Sequence, residues 1–257
     1  MRKPKQVFIK VGKVGYIYNS PAWDDLNEVW SENLEYWEPI SRKLFRKLAK
    51  NSNVIIDIGA YTGSYSLESS ISNTNSEVIA VEPNPLAAET LRKNILENKL
   101  GNINVWEFAL GSKESEMPLY STSDVSGNSM TSLIRDDKLI EQSLVSVQTI
   151  DSLFNNKIVD LIKMDVEGFE DQVLLGARSI LERDRPLLLM EALTDVNLAS
   201  QSAILILENY NLPIKIGHAR GDDRNYVWIP KEKRNLFLKI KIEVSLMKII
   251  FFFRRYE

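Results

Sequence analysis

The sequence contains no cysteine and a single histidine, His218. Without cysteine there are no disulfide bonds, thiolate zinc sites or cysteine nucleophiles, and this composition suits a reducing cytoplasm, where we expect the protein to act. Long apolar runs are also lacking, since the longest, residues 249–253, is far too short to span a bilayer. Residues 1–5 are basic, but no apolar stretch follows them, so we expect neither a secretory signal nor a transmembrane segment.

The sequence also lacks a strong excess of either charge. Its 257 residues carry a formal net charge of -3, with 44% hydrophobic and 26% charged residues. A nucleic-acid-binding domain would concentrate basic residues, and the overall balance gives no sign of this. These values are typical of a globular protein with a real core, so we expect no nucleic-acid partner.

The distribution of apolar residues predicts an α/β fold. Five apolar segments without alternation are typical of strands that are covered on both faces of a parallel sheet. They are residues 54–60, 77–83, 103–110, 159–166 and 186–193. Stretches with helical spacing lie between them at residues 64–72, 86–98 and 170–183. Strand and helix alternate as in a doubly wound fold, with a mostly parallel sheet and helices on both faces.

The remaining segments are predicted as additions to this core. Residues 7–18 alternate as in a hairpin, and residues 24–50 are helical, with Pro39 dividing the helix or capping its second part. Residues 111–158, rich in small polar side chains, predict an inserted hairpin and loop beside the site. A helix at 203–210 is followed by an antiparallel pair of terminal strands at 214–217 and 226–230.

We accordingly divide the chain into three regions. They are an N-terminal hairpin and helical segment (1–50), a main domain (51–230) and a C-terminal basic and apolar extension (231–257).

A glycine turn follows the first predicted strand of the main domain. Residues 57–63 read DIGAYTG and open a helix, where backbone amides and a tight turn let a ligand approach closely. Only Gly59 and Gly63 are present, so the pattern is not GxGxxG. By itself it is equally compatible with a purely structural turn.

An acidic residue at the end of the next strand makes the turn more informative. Glu82 lies 25 positions after Asp57 and can accept both hydroxyl hydrogens of a ribose, which indicates an adenosine-containing ligand. No third glycine makes room for a pyrophosphate, which Asp57 would repel. The ammonium and sulfonium of S-adenosylmethionine would suit this carboxylate. The chain also lacks a Tyr-x-x-x-Lys pair for hydride transfer, so S-adenosylmethionine is favoured over a nicotinamide cofactor.

A second acidic motif lies at the end of the fourth predicted strand. Asp165 and Glu167 fall at the carboxyl edge of the sheet, where open α/β sheets bind their ligands, which favours an active site. The alternative is that Glu167 and Glu170 only stabilise the start of the following helix.

Six segments, in this order, resemble the FkbM family of methyltransferases: DIGAYTG, VEPNP, FALGS, VDLIKMDVEGFE, LLGAR and RPLLLMEA. The resemblance covers about residues 36–230. It implies a Rossmann-like class I methyltransferase fold, S-adenosylmethionine as cofactor, and O-methylation of a hydroxyl on a sugar, a nucleotide sugar, a surface glycan or a polyketide-like molecule.

The resemblance also implies roles for individual residues. The first segment would line the methionine part of the cofactor, Glu82 would hold the ribose, and the FALGS segment would flank the adenine. The predicted cofactor-binding residues are Asp57, Gly59, Ala60, Tyr61, Gly63, Glu82, Pro83, Asn84, Ala109 and Leu110. Tyr61 stands where this family often has asparagine.

The predicted reaction is an in-line displacement in which the acceptor oxygen attacks the methyl carbon. Asp165 or Glu167 would accept the hydroxyl proton, and His218 is a third candidate base. Asp165, Glu167 and Glu191 have the oxygen ligands that Mg²⁺ or Mn²⁺ prefers, but their spacing does not require a metal and we expect none. Two rival functions are a nicotinamide-dependent oxidoreductase and a non-catalytic nucleotide-binding partner protein.

The extension 231–257 carries eight basic and three acidic residues, a local charge of +5 against -8 for the rest. Its apolar residues fit a strand, and Leu236, Ile240, Val244 and Met247 also fit one face of a helix. Packing on its own domain, contact in a homo-oligomer and weak attachment to an anionic membrane surface are the three alternatives, and the subunit contact is narrowly favoured.

Overall fold

The computed structural model of the chain describes residues 3–11, 13–24, 37–121, 131–135, 140–217 and 222–254, with residues 251–254 described by their backbone only. The strands of the described residues are β1 (Lys5–Val11), β2 (Val14–Ser20), β3 (Val54–Ile58), β4 (Glu77–Val81), β5 (Ile103–Trp106), β6 (Ala109–Leu110), β7 (Ser115–Ser121), β8 (Thr131–Ser132), β9 (Ile140–Gln148), β10 (Leu161–Met164), β11 (Leu187–Glu191), β12 (Ile214–Lys215) and β13 (Asn225–Trp228). The α-helices are α1 (Pro39–Ala49), α2 (Ser64–Ser72), α3 (Pro85–Glu97), α4 (Ile150–Leu153), α5 (Glu170–Leu175), α6 (Arg178–Arg183), α7 (Asp195–Leu207) and α8 (Arg234–Arg254).

Seven strands form the central sheet in the order β12-β13-β11-β10-β3-β4-β5. The five strands from β11 to β5 are parallel, whereas β13 is antiparallel to β11 and β12 to β13. Each of the five predicted apolar segments supplies one parallel strand. The predicted sheet and its antiparallel terminal pair are therefore confirmed.

The strands lack hydrophobic alternation because both faces of the sheet are covered. Ile56 belongs to a buried cluster with residues of α5, α6 and α7, while its neighbour Ile55 belongs to another with residues of α1 and α8. Successive side chains of a strand point to opposite faces, so each strand supplies apolar residues to both clusters.

The strand order of the sheet changes direction between β3 and β10. From β3 it proceeds through β4 to β5 on one side, and β10 and β11 then lie on the other. In open α/β sheets, the crevice at the carboxyl ends of two such strands is the usual place for a ligand. Gly59 and Asp165 come directly after these two strands.

The segments outside the central sheet partly follow the predictions. The antiparallel β1–β2 pair confirms the N-terminal hairpin, and α1 has proline in its first turn, at Pro39. Residues 25–36, which contain most of the first predicted helix, lie outside the described residues. The insertion forms the predicted hairpin from β7 and β9, but β6 and β8 extend it to a four-stranded sheet that the sequence did not predict.

Two predicted helices have different limits in the structure. The segment 170–183 is not one helix but two, α5 and α6, which are separated at Gly176. A Cβ atom at Gly176 would lie 1.9 Å from the carbonyl oxygen of Gly111, so the helix is interrupted where two backbones touch. The helix predicted at 203–210 starts earlier, because the Thr194 side chain accepts a hydrogen bond from the Asn197 N–H and caps α7.

The C-terminal extension is a helix, as one of the two periodicities indicated. Ile240, Val244 and Met247 are buried in the cluster that α1 also lines, so one face of α8 packs on its own chain. The side chains of residues 251–253, part of the apolar cluster noted in the sequence, lie outside the described residues. None of the described helices is both long enough and apolar enough to cross a membrane.

The packed face of α8 generates a prediction about stability. Replacing buried Ile240 with alanine should lower the free energy of unfolding by about 2–5 kcal/mol, because the substitution leaves a cavity. The matched control is Ile242→Ala, two residues along on the opposite face, where 62% exposure limits the change to about 0.5 kcal/mol. Chemical denaturation at several protein concentrations measures both, and equal losses would contradict the packing described for α8.

Candidate active site

A cavity of about 480 Å³ opens at the carboxyl ends of β3, β4, β10 and β11. This volume is within the range of small-molecule sites. Eight of the ten predicted cofactor-binding residues line it: Asp57, Gly59, Ala60, Tyr61, Glu82, Pro83, Ala109 and Leu110. The candidate bases Asp165 and Glu167 also line it, whereas His218 lies outside the described residues.

The other two predicted residues lie just behind the cavity wall. Gly63 precedes α2 with a φ of 101°, and a Cβ atom there would meet the Leu91 side chain at 2.2 Å. Asn84 caps α3 by accepting a hydrogen bond from the Leu86 N–H at 3.1 Å. Both residues shape the loops that carry the site, and neither is among the residues that line the cavity.

Gly59 brings the turns after β3 and β10 into direct contact. Its φ is 76°, and a Cβ atom there would lie 1.8 Å from the carbonyl oxygen of Asp165. The N–H groups of Gly59 and Ala60 both donate to the Val81 carbonyl, at 3.0 and 3.1 Å. Only glycine fits this approach, so the DIGAYTG turn is tied to its two neighbouring strands.

Glu82 follows β4 and is nearly buried, with 4% exposure. One carboxylate oxygen accepts from the Tyr61 N–H at 2.7 Å and the other from the Asn84 N–H at 2.8 Å. Each oxygen keeps a free lone pair, so the carboxylate can still accept two hydroxyl groups. Burial raises the pKa of Glu82 to about 7, although the two backbone N–H groups act to lower it.

Tyr61 links the glycine turn to the N-terminal segment. Its φ is 51°, and its hydroxyl donates to the Asp24 carboxylate at 2.8 Å. The ring of Trp23 lies edge-on to the Tyr61 ring, with 6.2 Å between the ring centres. The hydroxyl group and the ring of Tyr61 therefore hold residues 23–24 beside the cavity.

Three carboxylates meet at the ends of β10 and β11. Asp165, Glu167 and Glu191 place one oxygen each within 4.8 Å of the others. Burial raises the pKa of Glu191, and the charges of Asp165 and Glu167 raise it further. Burial also raises the pKa of Glu167, followed by the charge of Asp165. Shared protons therefore relieve the repulsion in this group, and its oxygen atoms are also of the kind that binds a divalent cation.

Lys163 provides positive charge from beneath this group. It is the third residue of β10, it is 2% exposed, and its Nζ lies 3.1 Å from Oδ2 of Asp165 and 4.9 Å above the Tyr65 ring. Burial alone would lower the pKa of Lys163, but Asp165, Glu38 and Asp57 together raise it above its usual value. The ion pair with this ammonium group fixes the position of the Asp165 carboxylate.

The structure separates the two interpretations of the acidic motif. Glu170 accepts hydrogen bonds from the backbone N–H groups of Val166 and Gly168, at 3.0 and 3.3 Å, and so stabilises the turn before α5. Glu167 has a left-handed backbone, with a φ of 52°, and lies on the cavity wall. Glu170 therefore has the structural role, while Glu167 lines the candidate site.

Four charged residues of the described cavity wall were not found from the sequence: Glu38, Lys163, Asp223 and Arg224. Glu38, just before α1, accepts from the Tyr65 hydroxyl at 2.8 Å and from the Asn225 side chain at 2.7 Å. No local sequence pattern predicts this position of Glu38, because its partner Asn225 lies 187 positions away in the chain. Lys163 did leave a signal, since it is a charged residue within an otherwise apolar strand.

Acidic groups predominate in the cavity wall. Among the residues that the structure describes, the lining contains two basic residues, Lys163 and Arg224, and seven acidic residues: Glu38, Asp57, Glu82, Asp165, Glu167, Glu191 and Asp223. Fields of this sign attract cationic ligands and disfavour pyrophosphates.

Solved structures with a similar fold include two methyltransferases. The 16S rRNA methyltransferase RsmC of T. thermophilus, solved with AdoMet and guanosine, matches at a TM-score of 0.50 and 11% identity, over 90% of this chain and 51% of that chain. Methyltransferase FkbM from Methylobacillus flagellatus KT gives a TM-score of 0.49 and 20% identity, over 70% and 44% of the two chains. The fold is accordingly that of the Rossmann-like class I methyltransferases.

Comparison of the amino-acid sequence with other sequences is more specific than comparison of the fold. The curated methyltransferase sdnD of Sordaria araneosa is 26% identical over 153 residues, which cover 48% of this chain and 59% of that protein. The chain thus spans less than two thirds of the length of this relative. The profile described as the methyltransferase FkbM domain matches residues 57–211, which is more than half of the chain. The chain therefore belongs to the FkbM family of methyltransferases.

Proposed function

We propose that the protein is an S-adenosylmethionine-dependent O-methyltransferase. The observation that carries the proposal is Glu82, whose buried carboxylate is oriented by two backbone N–H groups at the edge of a mostly acidic cavity. We further propose that residues 51–230 are its methyltransferase domain, with residues 1–50 and 231–257 as added segments.

The residues of the cavity fit this cofactor. The free lone pairs of Glu82 would accept the ribose hydroxyls, and the buried pair Ala109 and Leu110 would provide an apolar surface for the adenine. Gly59 leaves space where a side chain would collide with the Asp165 carbonyl. The acidic wall would favour the ammonium and sulfonium groups of the methionine part.

The reaction requires two things of the chain. It must align the acceptor hydroxyl with the methyl group, and it must remove the hydroxyl proton. When bound, S-adenosylmethionine supplies a methyl group on a sulfonium, which is already a good leaving group. The acceptor hydroxyl would be held in line with that methyl carbon and would attack it through oxygen as Asp165 takes the hydroxyl proton. Lys163 would fix the position of the Asp165 carboxylate.

The proposed acceptor is a hydroxyl group on a sugar, a nucleotide sugar, a surface glycan or a polyketide-like molecule. This proposal rests on the family, and the cavity is consistent with it. Glu167 and Glu191, whose pKa values are raised chiefly by burial, carry protons and can donate hydrogen bonds to acceptor oxygens.

The proposed function is tested by incubating the protein with S-adenosylmethionine that carries a radiolabelled methyl group. Nucleotide sugars, polysaccharides and macrolide-like alcohols are the acceptors to screen, and label in an ether product is the expected result. Mass spectrometry of ligand that co-purifies with the protein distinguishes the rivals. A bound nicotinamide dinucleotide would favour an oxidoreductase, and bound nucleotide with no transfer to any acceptor would favour a non-catalytic partner protein.

Glu82→Ala should weaken S-adenosylmethionine binding by about 2–4 kcal/mol, because two hydrogen bonds to a charged acceptor are lost. Calorimetric titration measures the change, and thermal unfolding checks that the variant remains folded. The matched control is Glu107→Ala, since Glu107 follows the neighbouring strand β5 but lies outside the cavity wall. Unchanged affinity in Glu82→Ala would remove this residue from the site.

Cofactor affinity should also depend on pH. Glu82 has a pKa of about 7, raised by burial, and only the ionised carboxylate can accept both ribose hydroxyls. Affinity should therefore decrease as the pH is lowered through about 7 and increase above it. Titrations from pH 5.5 to 8.5 (a range chosen to bracket about 7) test this, and Glu82→Ala should lose the dependence. The same pH profile in wild type and variant would assign the titration to another group.

Asp165→Asn should retain cofactor binding but lose about 10²–10⁴-fold in turnover, because an amide cannot accept the proton. Glu107→Gln is the matched control: it also replaces a carboxylate by an amide, but Glu107 lies outside the cavity wall, so turnover should change little. Single-turnover methyl transfer measures both variants. Normal turnover in Asp165→Asn with loss in Glu167→Gln would move the base to Glu167, and activity in both would favour His218.

A further inference from the structure

The outward face of α8 carries an apolar stripe that no other described part of the chain buries. Leu238, Ile242, Leu246, Ile249 and Ile250 are all exposed, with Ile242 at 62%. They recur at intervals of three or four residues, which places them on the side opposite the buried residues Ile240, Val244 and Met247. Contiguous apolar surface of this kind marks an interaction site more often than chance exposure does.

Lysines border this stripe on both sides. At 100° per residue, Lys241 and Lys248 fall along one edge of the stripe and Lys239 along the other. Glu243, the acidic residue of the helix, forms an ion pair with Lys47. Within the described parts of the chain, neither Lys239 nor Lys241 forms an ion pair, so their charges are available to a partner.

We infer that this face of α8 docks on an anionic lipid surface. The apolar stripe would enter the boundary between headgroups and acyl chains, and Lys239 and Lys241 would extend to the lipid phosphates, whereas Lys248 donates to the Lys215 carbonyl at 2.8 Å. The segment 231–257 has a net charge of +5 and the rest of the chain -8, so an anionic surface would attract this segment more strongly than the rest of the chain. Docking would therefore fix the orientation of the protein on the membrane.

The charges argue against a second copy of the chain as the occupant. Two copies paired through this stripe would bring the lysines at its edges together around one contact, and like charges at close range oppose association. Anionic lipid would neutralise the same lysines. Since the stripe and the lysines both lie away from the cavity, this inference does not depend on the proposed activity.

Sedimentation of the full chain with lipid vesicles tests the inference. Vesicles of phosphatidylcholine with about one third phosphatidylserine should carry the protein into the pellet, and vesicles of phosphatidylcholine alone should not. Raising the salt to about 1 M, where the Debye length is about 3 Å, should release it. Absence of binding to the anionic vesicles would overturn the proposal.

Variants distinguish the contribution of the lysines to vesicle binding from that of the apolar stripe. Lys239→Gln with Lys241→Gln should weaken vesicle binding about thirtyfold, from roughly 1 kcal/mol for each charge near the surface. Ile242→Ser with Leu246→Ser should weaken it at least tenfold while thermal stability stays unchanged, because both residues are exposed. Leu207→Ser, on the 76% exposed Leu207 of α7, is the matched control and should bind as wild type.

Light scattering identifies the competing occupant. A monomer at all concentrations, together with the vesicle results above, supports docking on lipid. A dimer that Ile242→Ser with Leu246→Ser converts to a monomer would assign the face to a second copy and overturn the proposal. Equal vesicle binding by wild type and both double variants would overturn it as well.

Discussion

The contact between Gly59 and the carbonyl of Asp165 is the constraint on which the site depends. Two parallel strands, β3 and β10, end side by side, and the chain must turn away from both ends in the same small space. A side chain at Gly59 would separate these turns, since its first carbon would lie 1.8 Å from the Asp165 oxygen. With glycine there, Asp165 comes directly beside the loop that carries Tyr61. Glu82 holds this loop by accepting a hydrogen bond from the Tyr61 N–H.

The second constraint is electrostatic. Seven acidic side chains line one cavity, and burying ionised carboxylates without compensation costs several kcal/mol each. Lys163 supplies a buried cation in register with Asp57 on the neighbouring strand and bonded to Asp165. Protons on Glu167 and Glu191, whose pKa values are raised, reduce the remaining repulsion. The site thereby places a carboxylate that is paired with a buried lysine, Asp165, beside two acids whose raised pKa values favour the protonated form that donates hydrogen bonds.

The segments before and after the central sheet complete this arrangement in different ways. At the amino-terminal side, Asp24 bonds to Tyr61 and Glu38 bonds to Tyr65, and Glu38 thereby becomes part of the cavity wall although it is distant in sequence. At the carboxyl-terminal side, α8 adds its inner face to the core and leaves an apolar outer face with lysines along its edges. The first addition shapes the site, and the second exposes an apolar face that lysines border.

The sequence by itself determined the parallel sheet and the positions where the site residues emerge. Strands covered on both faces must be apolar throughout, and parallel strands must end at a common edge, so Asp57, Glu82 and Asp165 were expected to converge. Tertiary structure decided what depends on contacts between distant segments. The pairing of Lys163 with Asp165 and the place of Glu38 are of this kind, and so is the break at Gly176, where the backbone of Gly111 approaches. The sequence left open whether residues 234–254 form a strand or a helix, because their apolar pattern fitted both periods. Burial of Ile240, Val244 and Met247 against the α1 side of the sheet favours the helix.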